Sequence, residues 1–230
     1  METGKTTKYL KYAIGEIILV MIGILLALQV NNWNENNKAK TKLTNALIEV
    51  KKDLNIEVTV LNRNIDTKTK DLNAQMQVIQ VLDKEIPIYP EFTNDLGHVF
   101  LRREVLFSKS GYELIKELGL SDISNNLRNS LVRYYDIIIP AIKIDINDDA
   151  EELSDVWLPY LRNHFYDFKY GEYAIPKDIN QFVNDSYILS ALKINIGNVN
   201  GTIGRLKEGK ALGETLIDLI TEELKKTNRS

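Results

Sequence analysis

The stretch from Tyr12 to Val30, YAIGEIILVMIGILLALQV, constrains this chain more than any other, because Glu16 is its only ionisable residue. As a helix rising about 1.5 Å per residue it reaches about 28 Å, close to the thickness of a bilayer's hydrocarbon core. Tyr9 and Tyr12 at one end and Trp33 at the other are aromatic side chains of the kind that settle at headgroup level. A cleaved signal peptide is the main competing reading. The apolar run is too long for one, and Gln29-Val30-Asn31-Asn32-Trp33 offers no small-x-small cleavage site. The expected organisation is therefore a short basic tail over 1–11, a transmembrane helix over 12–30, a polar juxtamembrane link over 31–42 and a soluble helical domain over 43–230.

Glu16 has two readings. Four residues inside the span, it leans toward the interface, as polar side chains near membrane helix ends do. Alternatively it works with its neighbours: Glu16, Val20, Gly23 and Ala27 step by 4, 3 and 4 and so share one helix face. That face combines a polar group with a small-xxx-small pair, the features that let membrane helices approach one another. It predicts a homo-oligomer, or contact with another membrane protein, through the span. Gln29 falls on the opposite face.

Charge is split along the chain. Residues 1–42 carry six lysines against Glu2, Glu16 and Glu35, which leaves 23 basic and 29 acidic residues for the remainder. An acidic domain behind a basic stub argues against nucleic acid, whose phosphates need a basic face. Three lysines precede the span and three follow it, so the positive-inside count is a tie. The short N-terminal stub is the easier part to leave in the cytoplasm. The expectation is thus a single-pass protein of the inner membrane with a periplasmic domain. There is no cysteine, which excludes disulfides, thiol catalysis and cysteine metal sites.

Beyond the span no proline occurs before Pro87 and no glycine follows Gly23 until well past it. Apolar residues recur at Leu43, Leu47, Val50, Leu54, Val58, Leu61, Ile65, Leu72, Met76, Ile79, Leu82 and Ile86, in steps of 3, 4 or 7. This predicts an amphipathic helix over 43–86 with a coiled-coil-like seam, interrupted at Lys68, whose stem could cover it. The seam needs partner helices or a second chain to bury it. The Asn-rich link NNWNENN is a poor helix former and a plausible hinge. Short helices follow over 91–120, closed by Gly119, with Ser108 or Ser110 as the N-cap. A second long element starts after Ser124; Pro140 should kink it and Pro159 break it. Residues 167–181 read as a loop, and a third long helix spans 184–226, where Gly197 and Gly201 could permit a close helix contact. The fold class is all-α: one transmembrane helix followed by an elongated antiparallel helical bundle with long helices.

Chemistry is sparse. His98 and His164 are far apart and fit no metal-binding spacing, so each reads as a packing or surface residue. The acidic run from Asp145 to Glu152 lacks the glycine and terminal glutamate of a calcium loop and reads as a solvated helix face. GNVNGTIG, from Gly197 to Gly204, has no following Lys-Ser/Thr and no preceding strand. Tyr134, Tyr135, Trp157, Tyr160, Phe165, Tyr166 and Phe168 read as packing aromatics rather than a ligand cage. No catalytic residue, cofactor or metal is expected, and an enzyme is the least favoured class.

The segment from Lys8 to Glu35, KYLKYAIGEIILVMIGILLALQVNNWNE, resembles the opening of a Bacteroidota membrane-anchored family catalogued as domain of unknown function 6090. Gly111 to Asp136, GYELIKELGLSDISNNLRNSLVRYYD, resembles a second block of that family. Members usually carry a longer basic leader than the seven residues before Lys8. The resemblance implies an anchor and a helical domain but no activity. The expected role is an interaction or sensing module of the bacterial envelope, with a scaffold or assembly subunit of an inner-membrane complex as the alternative. Its partners are the lipid bilayer and a second membrane helix.

Overall fold

The computed structural model describes residues 3–99 and 105–227, and side chains over 15–99 and 105–226. Helix α1 runs unbroken from Thr3 to Leu82. At about 1.5 Å per residue it is about 120 Å long. The hinge expected at NNWNENN is absent. Each asparagine costs a helix at most about 0.7 kcal/mol, too little to break a rod held on both sides. The ion pair of Lys38 with Glu35 at 3.0 Å and the bond from Thr41 Oγ1 to the Asn37 carbonyl at 2.9 Å brace the same stretch. The helix ends at Leu82, four residues before the expected stop, and Lys84 turns the chain with φ 64°.

From Pro87 the chain returns along α1 through α2 (Phe92–Val99) and α3 (Ser110–Leu118). Neither serine caps α3. Lys109 holds the cap position, the Ser108 N–H donates to Glu57, and the Ser110 hydroxyl donates to Glu49. Gly119 ends α3 as expected, at φ 103°, with its N–H on the Ile115 carbonyl.

A second rod then climbs beside α1. It consists of α4 (Asn125–Val132), α5 (Ile139–Glu152) and α6 (Leu158–His164), joined by π-helical turns at Arg133–Ile138 and Leu153–Trp157. Each π turn immediately precedes a proline-bearing segment, α5 with Pro140 and α6 with Pro159. A proline has no N–H to donate, and its ring collides with the carbonyl four residues back. The wider turn admits the extra residue that relieves both problems. Pro159 therefore does not break the rod.

Residues expected to be a loop contain a β-hairpin instead. Strand β1 (Phe165–Lys169) pairs antiparallel with β2 (Tyr173–Pro176), Phe168 opposite Ala174, with Gly171 at φ 72° in the turn. The hairpin seats on α2 at Gly97, whose carbonyl accepts the Gly171 N–H at 2.8 Å. A Cβ at Gly97 would lie 2.3 Å from the Tyr173 nitrogen, so the contact requires glycine. After α7 (Ile179–Phe182), capped by Asp178, the long helix α8 (Ser186–Thr227) descends to the start of the domain.

Helix α8 runs antiparallel to α1: Lys193 meets Asp83, Asn195 meets Gln75, Lys210 meets Asn62, and Gly213 meets Val58. It is antiparallel to the second rod as well, with Arg205 on Asp145 and Glu223 on the Ser124 N–H. The close helix contacts lie at Gly209 and Gly213, where an added Cβ would come within 2.9 Å of Ile142 and Val58. Gly197 and Gly201, expected to serve that role, face open space. Three apolar clusters fill the bundle from the end near Leu43 to the end near Leu82. They are centred on Leu54, Leu131 and Tyr134, then on Leu61, Ile142 and Leu206, then on Val78, Trp157 and Phe182.

Candidate functional site

Two parts of α1 differ in what covers them. Every described residue from 15 to 42 is exposed. The large apolar side chains from Ile17 to Val30 stand between 50% and 73% open on all sides of the helix. Glu16, Val20, Gly23 and Ala27 do share one face, and nothing in the chain opposes it; a Cβ at Gly23 would meet nothing within 4 Å. Trp33 is 67% exposed. The side chains of Tyr9 and Tyr12 lie outside the described residues. This is one helix long and apolar enough to cross a membrane, and none of that window is buried in the protein, which excludes the core helix of a globular domain.

From Leu43 onward the same helix is a seam. Leu47, Leu54, Leu61, Lys68, Gln75 and Leu82 are buried at steps of seven, and so are Val50, Glu57, Asn64, Asp71 and Val78. Two positions of every heptad thus face the rest of the domain, and in the middle of the helix they turn polar. Of the apolar residues expected on the seam, Ile65 and Leu72 are buried in the core as well, Val58, Ile79 and Ile86 lie half-buried beside it, and Met76 is half exposed. The partners that fill the seam are α8, α2 and α3, with side chains of the second rod reaching it at Tyr134 and Asp149.

Each polar seam residue is held. Lys68 sends its ammonium inward to Asp149 on α5, both side chains about nine-tenths buried, rather than merely covering the seam with its stem. Asp71 accepts from His98 Nδ1 at 2.9 Å. The Asn195 amide donates to Gln75. Glu57 accepts from the Tyr134 hydroxyl at 2.9 Å and the Ser108 N–H at 2.8 Å, tying a π turn and the approach to α3 onto α1. Burial pushes its carboxyl above the usual range, those two hydrogen bonds draw it back, and the Asp53 charge adds to the rise. No buried side-chain nitrogen or oxygen is without a partner among the described residues.

The acidic run is therefore not a solvated face throughout. Asp149 is inside, Asp145 pairs with Arg205 at 2.7 Å, and only part of the run is open. With Asp148 and Glu152 these carboxylates line a notch of about 420 Å³ between α5 and α8, opened by the missing side chains of Gly197 and Gly201. Burial raises the Glu152 carboxyl, and hydrogen bonds from Asn198 and Trp157 oppose that. No three His, Asp or Glu side chains are placed to hold a metal ion together among the described residues.

The histidines are structural in their contacts. His164 Nδ1 bonds the Tyr160 carbonyl at 3.0 Å, and its ring stacks on that tyrosine at 4.0 Å. The aromatic-rich middle divides between cores, Tyr134 and Tyr135 in the proximal one and Trp157, Tyr160 and Phe165 in the distal one, while Tyr166 is exposed. The buried polar seam went unread because apolar periodicity skips it. A strict seven-residue count from Leu47 and Val50 would have found it.

No curated protein and no solved structure matches the chain. Residues 16–89, which hold most of the exposed apolar run and the whole seam to its Pro87 stop, match the model of a family of unknown function, DUF6090, the family that the sequence resembles from Lys8 onward.

Proposed function

We propose that this chain is a single-pass, membrane-anchored helical interaction module of the bacterial envelope, in which one rigid helix serves as both lipid span and core of the domain. The observation that supports it is the continuity of α1 across the change of environment: residues 15–42 are open on every side, and by Leu47 the helix is sealed in the bundle. An exposed apolar surface of this extent needs a cover, and hydrocarbon is the one that treats all its faces alike. Without a hinge, any tilt or rotation of the span is carried into the seam.

The face Glu16–Val20–Gly23–Ala27 is the part of the span suited to a second helix, from another copy or from another membrane protein. The domain lies in the periplasm on this reading, with the short basic tail inside. The test combines alkaline extraction of membranes with reporter fusions at both termini. The protein should stay in the membrane pellet, and only the C-terminal fusion should report export. Release into the supernatant would sink the anchor, and a cytoplasmic C-terminus would reverse the topology. Cross-linking of the wild type and of Glu16→Leu/Gly23→Leu in detergent reads the association face; a dimer band unaffected by the substitutions would remove it.

A scaffold role in a larger inner-membrane complex is favoured by Ile137 and Ile144, seven residues apart on the second rod and each about 60% exposed. Affinity purification from membranes separates the two readings. Stoichiometric partners lost with Ile137→Ser/Ile144→Ser favour the scaffold.

A further inference from the structure

Helix α1 carries a second stripe, on the side away from its seam. Counted in sevens from Glu16 it passes Gly23, Val30, Asn37 and Thr44, and from Val20 it passes Ala27, Asn34, Thr41 and Ile48. The alternating steps of 4 and 3 keep these residues on one face of a gently supercoiled helix. After Glu16 the stripe meets no charged side chain until Lys51, although Glu35, Lys38, Lys40, Lys42 and Glu49 all lie in between. From Glu16 to Thr41 every member is exposed and Thr44 is half-buried. Ile48 is 52% exposed, turned away from Leu47, Val50 and Leu54. The association face of the span thus continues into water without a break in phase.

Over 31–42 the helix has no cover, and Asn31, Asn32, Asn34, Asn36 and Asn37 all lie there. At up to about 0.7 kcal/mol each they cost the helix about 3 kcal/mol, which its attached ends carry and a neighbouring helix would offset. The chemistry of the stripe says which helix that is. A carboxamide needs both a donor and an acceptor, and a second carboxamide supplies both. In a parallel pair in register Asn34 meets Asn34 and Asn37 meets Asn37, so each is satisfied by its own copy. A polar residue at such a position fixes register and number of strands. The flanks agree with this. Trp33 comes beside the partner's Lys38, a cation–π pairing, and Lys40 beside the partner's Asn45, so no like charges face each other. Length separates the span alone from the whole stripe. A contact about 10 Å wide, one helix diameter, covers about 200 Å² of each chain over 16–30 and about 500 Å² over 16–48. The longer pair reaches the total of about 1,000 Å² that a specific interface needs, and the span alone does not.

We propose that the occupant of this face is a second copy of the chain: two α1 helices pair in parallel and in register from Glu16 to Ile48. The inference rests on the reading of the span as a membrane anchor with an association face, and it names the partner of that face. Two chains anchored in one bilayer with the same orientation are parallel by necessity. Because the stripe and the seam lie on different sides of α1, the two bundles stand on the outer sides of a paired stalk. Lys51 ends the stripe where the bundle closes around α1.

The test uses the full chain, which has no cysteine of its own, with single cysteines introduced in membranes that carry two differently tagged copies. Oxidation should link Asn34→Cys, Asn37→Cys, Thr41→Cys and Ile48→Cys each to its own counterpart, since facing Cα atoms lie within the disulfide reach of about 4.4–6.8 Å. Asn36→Cys and Ala39→Cys, off the stripe, should link about fivefold less or weaker still. Adding Asn34→Lys/Asn37→Lys to Thr41→Cys should lower its linked fraction about fivefold. The thermal midpoint of the domain should not move, because both asparagines are exposed in the single chain. Equal linking on and off the stripe overturns the pairing in register. Linking at Gly23→Cys and Ala27→Cys with none at 34, 37 or 41 overturns the stalk and leaves the association face of the span. No linked dimer at any position, in a chain that stays in the membrane pellet, overturns the second copy and leaves the anchor. Loss from the pellet overturns the anchor and the pairing together.

Discussion

Residues 15–30 and 43–82 of α1 are helical for different reasons. The lower part is exposed along its length, and its apolar side chains are spread around the whole circumference. In hydrocarbon a helix is the way to satisfy every backbone N–H and C=O, so all-round apolarity suffices. The upper part is helical in water because a seam with at least two buried positions in every seven residues is sealed by α8, α2, α3 and side chains of the second rod. There the middle of the seam is polar, and that the lower part could not tolerate. On the proposed reading one covalent rod is read by two solvents, and a substitution should register in only one of them.

The sharpest way to break the comparison is to swap the rules. Leu25→Arg/Leu26→Arg places two charges near the middle of the span, where each costs about 2.5–3.5 kcal/mol on insertion scales. Membrane fractionation should show the protein lost from the pellet. The thermal midpoint of the domain should not move, because Leu25 and Leu26 are exposed in the fold. A lowered midpoint would show that the two parts are not independent.

Next comes the polar seam. Lys68→Met strands Asp149 as a buried charge and should cost about 3–5 kcal/mol in urea unfolding, while Lys68→Met/Asp149→Leu should recover most of that loss. Membrane partition should be unaffected by either. A single variant as stable as the wild type would mean that the pair is solvated in solution.

Smaller effects separate tight from open glycines. Gly97→Ala must push the hairpin away from α2 and should destabilise by about 1–3 kcal/mol. Gly201→Ala meets nothing within 4 Å and should stabilise α8 by about 0.5–1 kcal/mol. Thermal melts of the two variants should move in opposite directions.

The smallest effect is a pH slope. Glu57 holds its proton more tightly in the folded state than in the unfolded chain, so its contribution weakens as pH rises through and above the ordinary carboxyl value of 4.5. Glu57→Gln, which is nearly isosteric, cannot lose a proton. Its stability relative to the wild type should therefore rise between pH 4 and pH 7, as read from urea midpoints. A constant difference across that range would show that Glu57 titrates normally.

The span is legible in sequence because hydrocarbon imposes a composition, and composition needs no partner to be seen. The helix ends at Gly119 and near Pro87 are legible for a similar reason, since both are set by local backbone chemistry. The seam is legible only in part. Its apolar ends follow the steps of 3 and 4, but Glu57, Lys68, Asp71 and Gln75 become seam residues through partners 77, 81, 27 and 120 positions away. Apolar counting therefore passes over them and continues through Ile65 and Leu72, which are buried, and Val58 and Ile79, which are half-buried. Pro159 and the hairpin show the same limit. A π turn absorbs the one, and Gly97 on a distant helix makes room for the other.

The cysteine-free chain permits the most direct test of the continuous helix. Single cysteines placed at every position from 15 to 72 in the membrane-embedded protein can be reacted with a membrane-impermeant maleimide. Three zones should follow one another without a gap in helical phase: protection on all faces through about Val30, reaction over 31–42, and reaction with a helical period beyond Leu43. Reactivity over 17–30 equal to that over 31–42, or a loss of helical phase between Asn31 and Lys42, would contradict one rod serving two solvents.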